Sequence, residues 1–291
     1  MPKVSIVVPN YNHGRFLEQR LKSVYLQSFR DFEVILLDDN STDNSRGWLE
    51  KYRKEPQTAA VLYNTRNSGS TFLQWDKGIH AATGDWIWIA ESDDFSTPDF
   101  LQIASEHFHN GVGMVILGSA SVDEAGIPEP GHETPASPVR EQNWALSNPV
   151  PNASAVVFRK DLWLRYREHV LPYRLNGDWL FWCWIARNTQ VAECAEQCNY
   201  FRHHAQSARS QHSQSGTNLL EYGHMLWQMW KDGLCSAEEL KAGTRMLFRE
   251  WIARKGRGIG MNIRIYRQGR KLEQVSGERV GFSAPMIMKL I

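Results

Sequence analysis

The chain has 291 residues, 42% hydrophobic and 22% charged, with a formal net charge of +1. That content is enough to bury a large core and excludes a disordered chain, while the near-balanced charge gives no reason to expect nucleic acid as a partner. Four cysteines without a Cys-x-x-Cys pair, behind an N-terminus lacking the signature of a secretory leader, lead us to expect reduced thiols in a cytoplasmic protein.

Val4 to Val8 is a β-branched run ending at Pro9-Asn10-Tyr11-Asn12, followed by a helical pattern in which Phe16, Leu17, Leu21, Val24 and Tyr25 share one face. Phe32 to Leu37 reads as a second buried strand, with Asp38-Asp39-Asn40-Ser41 at its carboxyl end and a helix start in Ser41-Thr42-Asp43-Asn44. Ala59 to Tyr63 is a third strand. Asn67-Ser68-Gly69-Ser70 leads into a helix that closes at Gly84, and Asp85 to Ala90 is a fourth strand. Strand and helix in alternation predict a mostly parallel sheet with helices on both faces, and ligands of such sheets sit at the carboxyl ends of the strands. Three polar clusters fall there: Pro9–Asn12, Asp38–Ser41 and Glu91–Asp94.

Further on, Val112 to Leu117 predicts a strand, Gly126 to Pro138 a surface loop, Ala153 to Arg159 a strand and Leu175 to Arg187 a buried helix. Past residue 212 two helices are expected, at 217–232 and 236–255, the second opened by the capping box Ser236-Ala237-Glu238-Glu239. The organisation expected is therefore a domain over 1–212 and a helical extension with a basic tail over 213–291. Between 254 and 271 stand Arg254, Lys255, Arg257, Arg264, Arg267, Arg270 and Lys271 without an acidic residue. Such a tract suits a solvated face, or contact with anionic lipid at the inner face of the membrane. Trp227, Trp230, Phe248 and Trp251 can cover the first domain or seed a homodimer. No apolar run approaches the roughly 20 residues of a membrane helix.

Glu91-Ser92-Asp93-Asp94 carries three carboxylates in four residues, which repel one another unless donors or a cation are present. Hard ions such as Mg2+ and Mn2+ choose oxygen ligands, but a solvated turn capped by Asp94 or Ser96 has the same sequence. Asp38-Asp39 is equally readable as a helix start, and Tyr11 as a packed or a base-stacking ring. On residue type alone, Asp178 is an N-cap or a partner of Arg187, and His203 and His204 are surface or packing residues. Cys194 and Cys198 with the two histidines lack the second separated ligand pair of a zinc site.

The ordered set VSIVVPNYN, EVILLDDNSTDNS, NSGSTFLQWDKGIHAATGDWIWIAESDDF and NGDWLFWCWIAR, spread over residues 3 to 210, resembles the inverting family 2 glycosyltransferases. The resemblance implies a GT-A fold, a Rossmann-like sheet that binds a nucleoside-diphosphate sugar, typically UDP-linked, together with Mn2+ or Mg2+. Carried over by position, it puts Pro9 and Tyr11 beside the base and makes the Asp38-Asp39 pair, through Asp39, the carboxylate accepting from it. Asn67, Gly69, Lys77 and Gly78 pass under the ribose and diphosphate. Glu91, Ser92 and Asp93 occupy the Asp-x-Asp position, with Glu91 departing from the usual aspartate, and the direct metal contact falls on Asp93 or, by preference, Asp94. Asp178 matches the catalytic base, with Trp179 beside it a candidate to face the acceptor. Phe201-Arg202-His203-His204 with Ser207 matches the closing motif, where His204 is the histidine near the diphosphate and metal. Transfer to an acceptor hydroxyl with inversion is the implied reaction, on a glycan or lipid-linked acceptor in polysaccharide, O-antigen or glycolipid biosynthesis. Two rivals are a non-catalytic nucleotide-sugar or glycan-binding module on the same fold and a sugar nucleotidyltransferase. The loop PNYNHGRF, with a single glycine, is poor in the glycines the latter needs.

Overall fold

A computed structural model describes residues 3–134, 138–139, 142–205, 216–253 and 259–277. The chain divides into two compact units, the first made of Met1–Arg140, Val150–Arg174 and Ile185–His203.

The centre of the first unit is the run that reads most strongly as strand. β1 (Val4–Asn10) is buried along its whole length. It pairs in parallel with β2 (Phe32–Asp38) on one side and β4 (Trp86–Ile89) on the other, and β3 (Thr58–Tyr63) extends the sheet beyond β2. Burial on both faces is why β1, β2 and β4 are mainly apolar instead of alternating; of the polar residues within these runs, Ser5 donates from Oγ to Glu33 Oε1 at 2.6 Å. Residues Val4, Ile6 and Val8 point to the side covered by α1 (Gly14–Tyr25), α2 (Ser45–Tyr52) and α4 (Phe100–Ser105), with Leu17, Leu21, Leu49 and Phe100 in one core. Val7 points to the other side, where α3 (Thr71–Ala81) lies so close that a Cβ on Gly78 would overlap Val7 and Leu37. α5 (Lys160–Val170) joins α3 on that face through Trp163, whose ring lies 5.9 Å from Trp75.

Beyond β4 the direction changes. β8 (Val156–Arg159) runs antiparallel between β4 and β6 (Val112–Val122), and β9 (Gln190–Arg202) returns parallel to β6. The short β5 (Phe95–Ser96) closes the order β3-β2-β1-β4-β8-β6-β9-β5 against β9. The observed sheet is the mostly parallel α/β arrangement expected, with an antiparallel strand inserted. Two details differ. β6 runs on past Leu117 through Gly118-Ser119-Ala120, small residues that carry no strand signal of their own. The segment expected as a loop from Gly126 is largely strand: after a turn with Gly126 at φ +87°, Pro128–Thr134 (β7) folds back on β6. Residues 135–137 of that expected loop lie outside the described residues.

The second unit comprises Glu141–Pro149, Leu175–Trp184 and His204–Ile291. It takes in the start of α6 (Gly177–Asn188), and α7 (Thr217–Lys231), α8 (Ala237–Ala253) and α9 (Ile259–Ser276) pack on one another. The capping box forms as read: Ser236 N donates to Glu239 and Glu239 N to Ser236 Oγ. The tract read as a basic tail is helical from Ile259. α9 buries Ile265 and Leu272, and Trp251 Nε1 donates to its Asn262 at 2.9 Å. Phe248 and Trp251 are both fully buried, Trp251 with its ring 6.1 Å from Tyr266 of α9. Arg264, Arg267 and Lys271 lie along one exposed stripe of α9, Lys271 over the Trp227 ring at 3.8 Å. Arg254, Lys255 and Arg257 lie outside the described residues. Among the described residues no helix is long and apolar enough to cross a membrane.

Candidate functional site

The carboxyl ends of β1 and β2 are tied together by side chains. Asn10 Nδ2 donates to Asp38 Oδ1 and to Ser41 Oγ, both at 3.1 Å, and Ser41 N donates to Asp38 Oδ2. Asn12 and Asn40 both take left-handed backbone, φ 55° and 63°, a conformation that asparagine tolerates better than other side-chain-bearing residues. Asn12 then receives Thr42 N on its Oδ1 at 2.8 Å while its own N–H goes to Ser41 Oγ. Asp38 is consequently buried and structural, with Arg46 at 3.5 Å. Pro9 lies within β1 opposite Leu37, and Tyr11 follows the strand end 46% exposed.

Asp39 organises the next loop. Its carboxylate accepts from Asn64 Nδ2 (2.6 Å), Ser68 N (2.9 Å), Ser68 Oγ (2.7 Å) and Gln74 Nε2 (3.0 Å). Those donors take up roughly all of the about four acceptor positions a carboxylate offers. A nucleobase donor would have to share an oxygen already in use. Asn67 donates to the Asp39 carbonyl and accepts from Gly69 N, and Gly69 sits at φ +71°. Lys77 Nζ donates to Asn64 Oδ1 at 2.5 Å. Gly78 is set apart from these: it belongs to the packing of α3 on the sheet.

The acidic turn follows β4, whose four residues are all buried. Glu91 Oε1 accepts from Trp75 Nε1 at 2.8 Å. Ser92 is buried and its Oγ lies 2.9 Å from His13 Nδ1. Asp94 is buried too, its Oδ1 accepting Arg202 N at 3.0 Å. Asp93 is different: its side chain keeps 17% of its exposure and approaches His13 Nδ1 at 4.0 Å.

Two arginines that sequence reasoning did not select hold this turn. Arg20, with no exposed surface, donates from Nε to the Glu91 carbonyl at 2.7 Å and from Nη2 to Ser154 Oγ at 3.0 Å. Arg202, also buried, donates from Nε to the Asp93 carbonyl at 2.7 Å and from Nη2 to Gln19, with its guanidinium between the rings of Phe16 and Phe95. The signal for Arg20 was present in the spacing: it lies four residues from both Phe16 and Val24, a charge on the apolar face of α1.

Burial first, and the Asp93 charge second, push the Glu91 carboxyl up to about 8, against the hydrogen bond from Trp75. Asp94 is likewise held well above the usual carboxylate range by burial and then by Asp93, with Arg20 opposing. Excess negative charge that burial disfavours, with an accessible Asp93 oxygen near an imidazole nitrogen, is a donor set that fits Mn2+ or Mg2+. It also fixes a pH dependence. A carboxyl whose pKa is higher in the folded than in the unfolded chain favours folding while protonated, and that contribution is lost as pH rises from its ordinary 4.5 through about 8. In the presence of a chelator, Tm is expected to fall between about pH 5 and about pH 8, and Glu91→Gln to flatten the fall. Equal slopes for the two proteins would contradict it.

The remaining candidates belong to the second unit. Asp178 stands in the first turn of α6, half-buried, and its Oδ2 accepts from Asn148 Nδ2 at 3.3 Å. Trp179 donates to the Trp144 carbonyl at 2.9 Å, its ring 5.8 Å from Tyr222. His204 is buried, and Ser207 lies outside the described residues.

The "GalNAc(5)-diNAcBac-PP-undecaprenol beta-1,3-glucosyltransferase" of Campylobacter jejuni is 26% identical over 126 residues, which are 43% of this chain and 40% of that protein. The chain spans about two-fifths of the length of the first curated relatives it matches. Among solved structures, Staphylococcus aureus TarS 1–349 in complex with UDP-GlcNAc superposes with a TM-score of 0.68 at 18% identity, over 94% of this chain and 80% of that one. The mannosyltransferase PcManGT of Pyrobaculum calidifontis, in complex with GDP-Man and Mn2+, gives 0.57 at 17% identity over 99% and 78%. These two share the fold, which is of the GT-A type. The model of "Glycosyl transferase family 2" matches residues 5–165, more than half of the chain, and the strand-end loops and acidic turn described above fall within it: the protein belongs to glycosyltransferase family 2.

Proposed function

We propose that the protein transfers a sugar from a nucleoside-diphosphate sugar, UDP-linked, to an acceptor hydroxyl with inversion. The observation that carries this reading is the acidic turn at the carboxyl end of β4, braced from two sides by buried arginines while Asp93 stays accessible beside His13. Asp93 and His13 would hold the divalent cation, which when bound supplies positive charge to the departing diphosphate. Tyr11, exposed at the end of β1, offers a face for the base, and the 64–69 loop on Asp39 offers backbone to the ribose and diphosphate. Asp178 takes the proton of the acceptor hydroxyl as it attacks the anomeric carbon, its carboxylate oriented by Asn148. In this reading residues 1–212 carry the transfer and 213–291 form a helical extension. The names of the structural neighbours' ligands, UDP-GlcNAc and GDP-Man, support a nucleotide-sugar donor, and the undecaprenol-linked acceptor in the Campylobacter relative's name supports a lipid-linked or polysaccharide acceptor.

Calorimetric titration with UDP, GDP and dTDP, each with and without Mn2+, tests the donor side. Mn2+-dependent binding of UDP is expected, weakened at least about 10-fold in Asp93→Ala, the equivalent of about 1.4 kcal/mol. Folded protein that binds none of the three would overturn the reading, and binding without turnover would favour a non-catalytic module.

The cationic stripe of α9 supports a location at an anionic membrane surface. Each basic residue near such a surface contributes about 1 kcal/mol, so Arg267→Glu/Lys271→Glu is expected to lower partitioning onto phosphatidylserine-containing vesicles by about 10-fold or more. Equal sedimentation of both proteins with vesicles would remove the membrane from the proposal.

A further inference from the structure

We infer that Arg20 is a positioning residue of the acidic turn and that Asp94 is its internal counter-ion instead of a cation ligand. The second half rests on the transferase reading; the first stands on packing alone. An arginine with no exposed surface is costly to bury and needs a compensating charge. Hydrogen bonding does not account for Arg20. Two of its nitrogens donate, to the Glu91 carbonyl and Ser154 Oγ, while Nη1 is buried without a hydrogen-bond partner among the described residues. Charge does account for it, because Nη2 lies 4.0 Å from Asp94 Oδ2 in a pair with 0% and 2% side-chain exposure.

The contacts around this pair fix the backbone of the turn. Ser154 Oγ, which accepts from Arg20, also accepts Glu91 N at 3.2 Å, so residue 91 is held by its carbonyl and its amide at once. At the far end Arg202 takes the Asp93 carbonyl through its guanidinium and Asp94 Oδ1 through its backbone N–H. Both oxygens of Asp94 therefore face donors of the chain itself. Asp93 differs: its carboxylate keeps 17% of its exposure and lies 4.0 Å from His13 Nδ1. Arg20 packs under this assembly with its guanidinium 5.5 Å from the Trp88 ring, which keeps water from replacing it.

A double-mutant cycle with a metal readout tests this. Arg20→Met and Asp94→Asn are each expected to lower Tm by about 10 °C, because each strands a buried charge, and the double variant to lie near one single variant instead of at the sum. Additive losses would overturn the pairing. If Arg20→Met does not fold, Arg20→Gln, which removes the charge and keeps a donor for the Glu91 carbonyl, takes its place in the same cycle. Mn2+ alone, titrated by electron paramagnetic resonance, is expected to bind Asp94→Asn within about threefold of the wild type and Asp93→Asn at least about 10-fold more weakly. Folded Asp94→Asn that has lost Mn2+, with Asp93→Asn retaining it, would reverse the assignment. A wild type that takes up no Mn2+ would count against the transferase reading, and the Tm cycle would still decide the Arg20–Asp94 pair.

Discussion

Asp178→Asn is expected to lower kcat by about 10^2- to 10^4-fold, the range general-base catalysis supplies, while leaving the donor Kd within about twofold. The substitution is nearly isosteric, and an asparagine oxygen can still accept from Asn148 Nδ2, so α6 keeps its first turn. What is lost is the ability to take a proton from the acceptor. The measurement is UDP release with an acceptor that the wild type uses, alongside calorimetric donor binding. A variant within tenfold of wild-type turnover would show that the proton leaves by another route. A variant that lost donor affinity instead would show that Asp178 acts in binding.

Asp39→Ala is expected to cost about 3 kcal/mol or more in stability, since a buried donor left unsatisfied costs about 1–3 kcal/mol and this carboxylate serves several. Ser68 N, Asn64 Nδ2 and Gln74 Nε2 would lose their acceptor together. Gln74 Nε2, buried on α3, would be left with Ser68 Oγ at 3.1 Å as its acceptor. Hydrogen exchange should therefore rise across residues 64–74 and remain unchanged in β1 and β2. A stable variant with unchanged exchange would mean that the loop is held by other contacts. Asp39→Asn should fall between the two, as its amide reproduces one acceptor and turns the other position into a repelled donor.

Much of the first unit was legible because burial on both faces writes itself into sequence. Val4–Val8, Phe32–Leu37 and Trp86–Ile89 are apolar apart from Ser5 and Glu33, and the polar residues that follow them mark the strand ends. β9 was illegible for the opposite reason. Its sequence QVAECAEQCNYFR mixes exposed and buried positions without a clean alternation, as its shifted register against β6 reflects. β7 was hidden by its two prolines and a glycine, residues confined to edge strands of a sheet, which is where it lies. The C-terminal helix was concealed because Arg264, Arg267 and Lys271 fall on its exposed stripe, while Ile265 and Leu272 are buried with a few polar residues.

At the site, the carboxylates were visible and their counter-charges were not. Local sequence shows which residues share a loop, and Glu91, Asp93 and Asp94 share one. It does not show that residue 20 of a helix and residue 202 of a strand converge on that loop. Arg20 carried a signal, a charge in step with Phe16 and Val24, whereas Arg202 lay in a motif noticed for its histidines. The same limit applies to Asp39, whose donors come from residues 64, 68 and 74.

The reach of Arg202 has a consequence for how the molecule is made. Its amide meets Asp94 across 108 positions of chain, and its strand pairs with β6, which on its other side pairs with β8. Loop-closure entropy makes such distant pairings late events in folding. During synthesis, then, the acidic turn emerges well before its second arginine, with Arg20 already available from α1 to shield it. Truncations ending before residue 202 are therefore expected to accumulate with β1 to β4 formed and the acidic turn lacking its second arginine.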